Sequence, residues 1–483
     1  NPKRNRLMKK FFILLLMTTA GLAQNRLMKT YRLGETTSLQ KGLAGNGISD
    51  IKEAKGVLWF GTGHGLSRTV DGGETFETFL PAQGLGHGSV SGLYVQGDTI
   101  MVATATDTLT AVSDQYLSKG TGLSVSLDGG DSWTHFPQPG VTPVQNLAYD
   151  VEVVDGVVWI SCFGGGLIKS EDGCRTWQVT PPDTFVFNPN NRLNHRAFSL
   201  TVGDGALYVG TAEGVNKSLD NGQTWVNFNH TNQKEPISGN FVTALAFQKT
   251  AEKSIIWAAS WKAEGDEEFY AVSKSENGGL SWQTMLRDEQ AHNFAFDGSV
   301  VYVACNSGLF KSTDYGATWF LFPAIKDAES SNRVYDSETD SAWGRDGVLW
   351  VGTTDGLART YDNGYSWKIF RAFQPTGTAG QPRTYAYPNP FSPTRHNQLG
   401  GDGHVRFQYN TLADTRVTIQ VFDYAMDLVT TICRDAFRHG PADYSDVWNG
   451  RNDYGDAVAN GVYFYRINVE NDGAHWGKVM VVN

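Results

Sequence analysis

Four stretches of this sequence combine planar aromatics with fixed cations, a composition able to grip carboxylates, glycans or peptide chains. They are residues 107–120, 181–196, 261–268 and 324–346. Within them Arg192, His195, Arg196, Trp261, Lys262, Trp343 and Arg345 are the candidate binding residues. The third stretch also holds Asp266, Glu267 and Glu268, the richest acidic cluster. A glycosidase needs a carboxylate pair of this kind, although an acidic run on a loop is ordinarily a hydrated face. No residue is assigned a catalytic role. His-Glu-x-x-His, a phosphate loop ending in Gly-Lys-Ser/Thr, a nucleophile elbow and a dinucleotide fingerprint are all absent. Gly61-Thr62-Gly63-His64-Gly65 is a turn repeated with variation elsewhere, not a phosphate cradle. Cys162, Cys174, Cys305 and Cys433 have neither metal-ligand spacing nor a Cys-x-x-Cys pair. Buried, unpaired thiols are expected, with no metal and no cofactor.

The elements that must hold these stretches repeat. The segment Ser126 to Trp133 recurs with variation from Thr69, Ser170, Ser218, Ser275, Ser312 and Thr360. Its third positions are Asp71, Asp128, Asp172, Asp220, Asn277, Asp314 and Asp362, at intervals of 57, 44, 48, 57, 37 and 48 residues. Intervals of about 40–50 residues are those of four-stranded propeller blades. A Ser or Thr hydroxyl and a carboxylate two residues on can accept backbone N–H bonds inside a tight turn. Glycine at the fourth or fifth position permits positive φ, and the closing Trp opens the next strand. These aspartates are therefore turn-bound and structural. Runs such as Val57 to Thr62, Ala206 to Thr211 and Val348 to Thr353 precede the turns, so each unit reads strand, turn, strand, box, strand. The long insertions then fall on the face opposite the boxes, where loops carry function.

This pattern resembles the Asp-box, or BNR-repeat, β-propellers, which include sialidase-like folds, sortilin-type receptors and exported assembly factors. The resemblance implies an all-β, seven-bladed β-propeller over residues 45–372. Two boxes depart from the pattern, with Cys174 at the usual glycine and Asn277 at the usual aspartate. Sialidases carry an arginine in a Phe/Tyr-Arg-Ile-Pro motif, of which Tyr31-Arg32-Leu33-Gly34 matches two residues of four. They also have six blades, so sialidase activity is not expected. Tyr31 to Leu33 either adds a strand to the last blade or forms a loose lead-in.

Residues 373–383, rich in Pro, Gly and Thr, read as a linker. Short strands at Val405 to Tyr409, Val417 to Phe422, Val462 to Ile467 and Val479 to Val482 then fit a small β-sandwich over residues 384–483. Tyr387-Pro388-Asn389-Pro390-Phe391, Trp448 to Gly455, Asn460-Gly461-Val462-Tyr463 and the final Lys478 to Val482 resemble the FlgD-type Ig-like domain. Met426 stands where that family places a turn glycine. Similar terminal domains act as type IX secretion sorting signals, so the resemblance implies contact with secretion machinery and attachment at, or release from, the cell surface.

Lys9-Lys10, the apolar run Phe11 to Met17 and Gly21-Leu22-Ala23 have the form of a signal peptide cleaved before Gln24, with Met8 as the initiator. Residues 1–23 are then upstream residues and signal peptide, and residues 24–44 a lead-in. The apolar run is shorter than the roughly 20 residues of a membrane span. The formal net charge is −10, and losing residues 1–23 removes five cations and no acids, moving it to −15. An acidic exported chain avoids nucleic acid and anionic lipid. The expectation is a secreted or surface-displayed binding or scaffold protein for a glycan or protein ligand. An extracellular glycoside hydrolase is the alternative.

Overall fold

The computed structural model describes residues 42–109, 116–140, 144–262, 267–326, 333–334, 338–372, 376 and 382–483. The leader, the lead-in as far as residue 41, Tyr31 to Leu33, Asp266 and most of the linker lie outside the described residues. The chain divides into two compact units, one holding Gly42–Arg333 and Glu338–Arg371, the other Ala372–Asn483.

Seven four-stranded antiparallel sheets make up the first unit among the described residues, each a simple meander in chain order. Their inner strands are Ile48–Ala54, Ser89–Gln96, Ala148–Val154, Ala197–Gly203, Phe241–Lys249, Ala291–Asp297 and Thr339–Arg345. In four sheets the inner strand reaches the second through a two-residue turn with both φ positive: Lys55-Gly56, Asp155-Gly156, Asp204-Gly205 and Asp346-Gly347. That geometry matches the twist of the flanking strands. Each inner strand packs beside the next, and the seventh packs beside the first. At this closure Ser341 Oγ donates to the Ile48 carbonyl at 3.1 Å, and Arg345 pairs with Glu53 at 2.6 Å.

The eight-residue turns between third and outer strands form the clamp their residues suggest. In the second, Ser126 Oγ donates to Asp128 Oδ1 at 2.8 Å and accepts from the Gly130 N–H at 2.8 Å. Asp128 also accepts from the Ser132 N–H at 2.9 Å and from its hydroxyl. The fifth keeps this pattern with an amide, Asn277 Oδ1 accepting from the Ser281 N–H and Asn277 Nδ2 donating to Ser281 Oγ.

Neighbouring sheets are joined by a device that repeats around the ring. An aromatic on the second strand faces a cation on the third: Trp59 with Arg68, Trp159 with Lys169, Tyr208 with Lys217, Trp257 with Lys274, Tyr302 with Lys311 and Trp350 with Arg359. The cation lies 5.2 to 5.8 Å from the ring centroid in each. Several of these cations reach onward to the clamp of the next sheet, as Lys274 does to the Tyr315 carbonyl at 2.6 Å and Lys311 to Asn363 Oδ1 at 2.9 Å. The second sheet differs, pairing Met101 with Val125.

In the second unit a three-stranded sheet (Thr384–Tyr387, Val405–Thr411, Ala442–Trp448) and a four-stranded one (Leu428–Arg438, Thr415–Phe422, Gly461–Val469, Gly473–Val481) enclose one core. Phe407 of the first sheet stacks on Tyr465 of the second at 4.2 Å. Met426, in the exposed turn before Leu428, has φ 69°, a conformation that costs a side chain about 1–2 kcal/mol. After glycine's entropic penalty, Met426→Gly is expected to stabilise this unit by about 0.5–1 kcal/mol, read from urea unfolding.

Three of the four cysteines are buried as expected, while Cys433 is only half-buried. Burial pushes the Cys174 and Cys433 thiols up to about 11 and those of Cys162 and Cys305 higher still. Alkylation of the native protein near neutral pH is therefore expected to proceed slowly at Cys433, with the other three protected until unfolding. Peptide mapping after iodoacetamide treatment checks this.

Candidate functional site

Every inner strand carries a one-residue irregularity near its start. The extra residues are Ser49, Ser91, Tyr149, Phe198, Thr243, His292 and Asp340. A bulge twists its strand and re-aims the extra side chain. All seven line one cavity of 430 Å³, together with Asp50, Lys52, Tyr94, Asp150, Glu152, Asn293 and Phe294. The cavity thus runs along the inner strands, at the centre of the ring they form.

Its charges are tied into the walls. Asp50 Oδ1 accepts from the Ile51 N–H at 2.8 Å and from Asn293 Nδ2, on the sixth sheet, at 3.2 Å. Asp50 Oδ2 lies 3.5 Å from Lys52 Nζ. Asp150 accepts from the Val151 N–H and, through its other oxygen, from the Leu200 N–H on the next sheet, both at 2.9 Å. Asp50, then Asp150 and Glu152, raise the Lys52 ammonium above its ordinary value against the pull of burial. Burial pushes the Asp150 carboxyl up to about 7, with Lys52 only partly opposing it, and raises Glu152 too. On the rim His292 Nε2 meets Asn306 Oδ1 at 2.6 Å and Glu338 at 3.6 Å. Clusters of three or more His, Cys, Asp or Glu side chains able to hold a metal ion do not occur among the described residues.

The residues expected from sequence scatter around this cavity. His195 is buried, its Nδ1 accepting from the Asn188 N–H at 2.8 Å and its Nε2 donating to Asp183 at 3.0 Å. Arg196 is buried too, bonded to the Pro189 carbonyl at 2.7 Å and lying over Phe163. Both therefore organise the connection from third to fourth sheet. Arg192 lies over Phe185, 3.4 Å from the ring centroid, and Lys262 is exposed. Trp261, 3% exposed, packs with Tyr149 and Phe198 and meets His292 edge-on at 6.3 Å, so it backs the cavity wall. Trp343 and Arg345 belong to the last inner strand, at the end from which the clamp turns project, with Arg345 over Trp343 at 5.7 Å. The seven do not form one constellation.

Sequence reasoning missed Asp50, Lys52, Asp150, Glu152, His292 and Asp340. A signal was present: polar residues interrupt short apolar runs in Ser49-Asp50-Ile51-Lys52, Tyr149-Asp150-Val151-Glu152 and His292-Asn293-Phe294, each well upstream of a clamp turn.

The chain matches no protein-family model and no curated protein sequence. No helix among the described residues is long and apolar enough to cross a membrane. Among solved structures it is similar to an ancestral GH74 enzyme, with TM-score 0.52 and 14% identity over 92% of this chain and 64% of that one. The chain thus spans less than two thirds of that enzyme. It is similar to the GH74 enzyme of Niastella koreensis, with TM-score 0.50 and 13% identity over 92% of this chain and 75% of that one. PorZ, a surface component of the type-IX secretion system of Porphyromonas gingivalis, gives TM-score 0.40 and 14% identity over 93% and 71%. Identities this low speak to the fold alone. Together with the meander sheets and their cyclic packing, the two GH74 likenesses make the first unit a β-propeller.

Proposed function

We propose that this chain is an exported, seven-bladed Asp-box propeller that holds a ligand at its ring channel without transforming it. An Ig-like sandwich after it serves sorting or attachment at the outer surface. The observation that carries the binding reading is the anchoring of the channel carboxylates. Both oxygens of Asp150 accept backbone N–H groups, and those of Asp50 are shared among a backbone N–H, Asn293 and Lys52. A carboxylate held in this way orients and attracts, but has little freedom to swing onto a glycosidic carbon or shuttle a proton. Trp261 stiffens the wall from behind, and Arg192 and Lys262 add cations on connections at the channel's bulged end.

One observation favours the hydrolase reading: a carboxyl pushed up to about 7 shares the cavity with other carboxylates, as an acid and base pair would require. A glycan and peptide array run beside a reporter-glycoside screen separates the two. Retention without turnover is expected, and turnover lost in Asp150→Asn would replace binding with hydrolysis. For the second unit, deleting residues 384–483 is expected to leave the protein inside the cell envelope. Arrival of the truncated protein at the surface would remove the sorting role.

A further inference from the structure

The channel is short of positive charge. Among the described residues three carboxylates, Asp50, Asp150 and Glu152, line it against one ammonium, Lys52, which Asp50 engages at 3.5 Å. The Ser91 hydroxyl adds a second, independent feature. Ser91 is 4% exposed, it lines the cavity from a strand bulge, and its Oγ makes no hydrogen bond among the described residues. A buried hydroxyl left unpaired costs stability unless something in the cavity meets it. The lining also includes the aromatic residues Tyr94, Tyr149, Phe198 and Phe294. Carboxylate and hydroxyl oxygens accept from an ammonium, while ring faces attract its charge and cover its methylenes.

We propose that the ring channel binds a primary ammonium carried on a short aliphatic stem, as in a free diamine or a lysine side chain. This rests on the binding reading above and names the ligand class of the same site. A cavity of 430 Å³ falls in the range of small-molecule sites and accommodates such a stem.

The charge balance sets a pH dependence. Among the described residues, the titratable or charged groups lining the cavity with Asp150 are Asp50 and Lys52 on the first sheet, Tyr94 on the second, Tyr149 and Glu152 on its own strand, His292 on the sixth and Asp340 on the seventh. The fourth and fifth inner strands contribute none to the lining. A bound ammonium favours the ionised carboxylates, so binding expels the proton that burial favours on Asp150, and affinity rises with pH.

The test is calorimetric titration of the full chain with putrescine and with Nα-acetyl-lysine methylamide at about pH 6 and about pH 8, with 1,4-butanediol as the neutral control. The expected result is saturable binding of at least one amine, about 10-fold tighter at the higher pH, and none of the diol. Putrescine alone binding assigns a free amine, and the lysine derivative binding assigns a protein side chain. Glu152→Gln retains an acceptor for the Val153 N–H and is expected to weaken the amine by about 10-fold. Lys52→Met removes the competing cation and tightens it, with Lys52→Gln as substitute should the methionine variant melt early. Neither amine binding at millimolar concentration, equal binding of the diol, or loss of affinity in the Lys52 variants overturns the inference. A neutral glycan retained while both amines fail would sink the ammonium and leave the binding reading standing. Glycoside turnover would remove the binding reading itself.

Discussion

Replacing Gly222 or Gly316 with alanine is expected to cost about 2–4 kcal/mol and to lower the melting temperature by about 5–10 °C, whereas Cys174→Gly at the equivalent position changes it little. All three occupy the fifth place of a clamp turn with φ positive: 81°, 83° and 69°. The difference lies in what the preceding sheet presents. A Cβ on Gly222 would sit 2.5 Å from the outer edge of Trp159, and one on Gly316 would sit 2.6 Å from that of Trp257. The rings are buried and the clamp is closed by its own hydrogen bonds, so neither side can give way. The second sheet offers Met101 where the others place an aromatic, and Met101 and Cys174 share one buried cluster. The two departures therefore compensate each other across one junction. Met101→Trp alone should destabilise the ring by overpacking, and adding Cys174→Gly should restore part of the loss. A thermal double-mutant cycle reads this coupling directly, and strict additivity would separate the two positions.

That pairing marks the limit of what the chain reveals in one dimension. The clamp turns are local: Ser126, Asp128, Gly130 and Ser132 lie within seven residues, so their bonds follow from spacing alone, as do the alternating runs that become second and third strands. The inner strands were harder to see. Asp50-Ile51-Lys52 and Tyr149-Asp150-Val151-Glu152 alternate polar with apolar residues, the pattern of a strand with one solvated face, and nothing local shows that this face lines a channel, which exists only once the ring closes. The cation and aromatic rungs were invisible for another reason. Trp59 and Arg68 meet across a hairpin, but their target at Gly130 lies on the next sheet, and only the closed ring brings it there. His195, Arg196 and Trp261 show the opposite error. Long aromatic and cationic connections look like ligand contacts, yet here they fold inward, because a buried imidazole, guanidinium or indole satisfies backbone groups and fills space that a long connection leaves open.

The clamps also predict how the protein responds to acid. Asp128, Asp172, Asp220, Asp314 and Asp362 are held down to about 2, and Asp71 lower still, first by the hydroxyl of the residue immediately before the Trp or Phe of its own turn and then by the N–H of that same residue. Each folded value lies below the ordinary 3.8, so the folded chain prefers the ionised form. The resulting stabilisation is complete above about pH 4 and is lost as pH falls through about 2. Melting temperature should hold steady as pH drops toward 4 and then fall steeply, six turns weakening in the same window. The fifth turn is a built-in comparison, since Asn277 keeps the geometry without a titrating group. Asp128→Asn should accordingly fold, lose its share of the acid transition and leave the transition of the other five turns in place. Were that variant to show the unaltered acid profile by circular dichroism, the clamp carboxylates would not be the source of the transition, and the Asp402 and Arg451 pair of the second unit, where Arg451 also holds Asp402 below its usual value, would become the group to replace next.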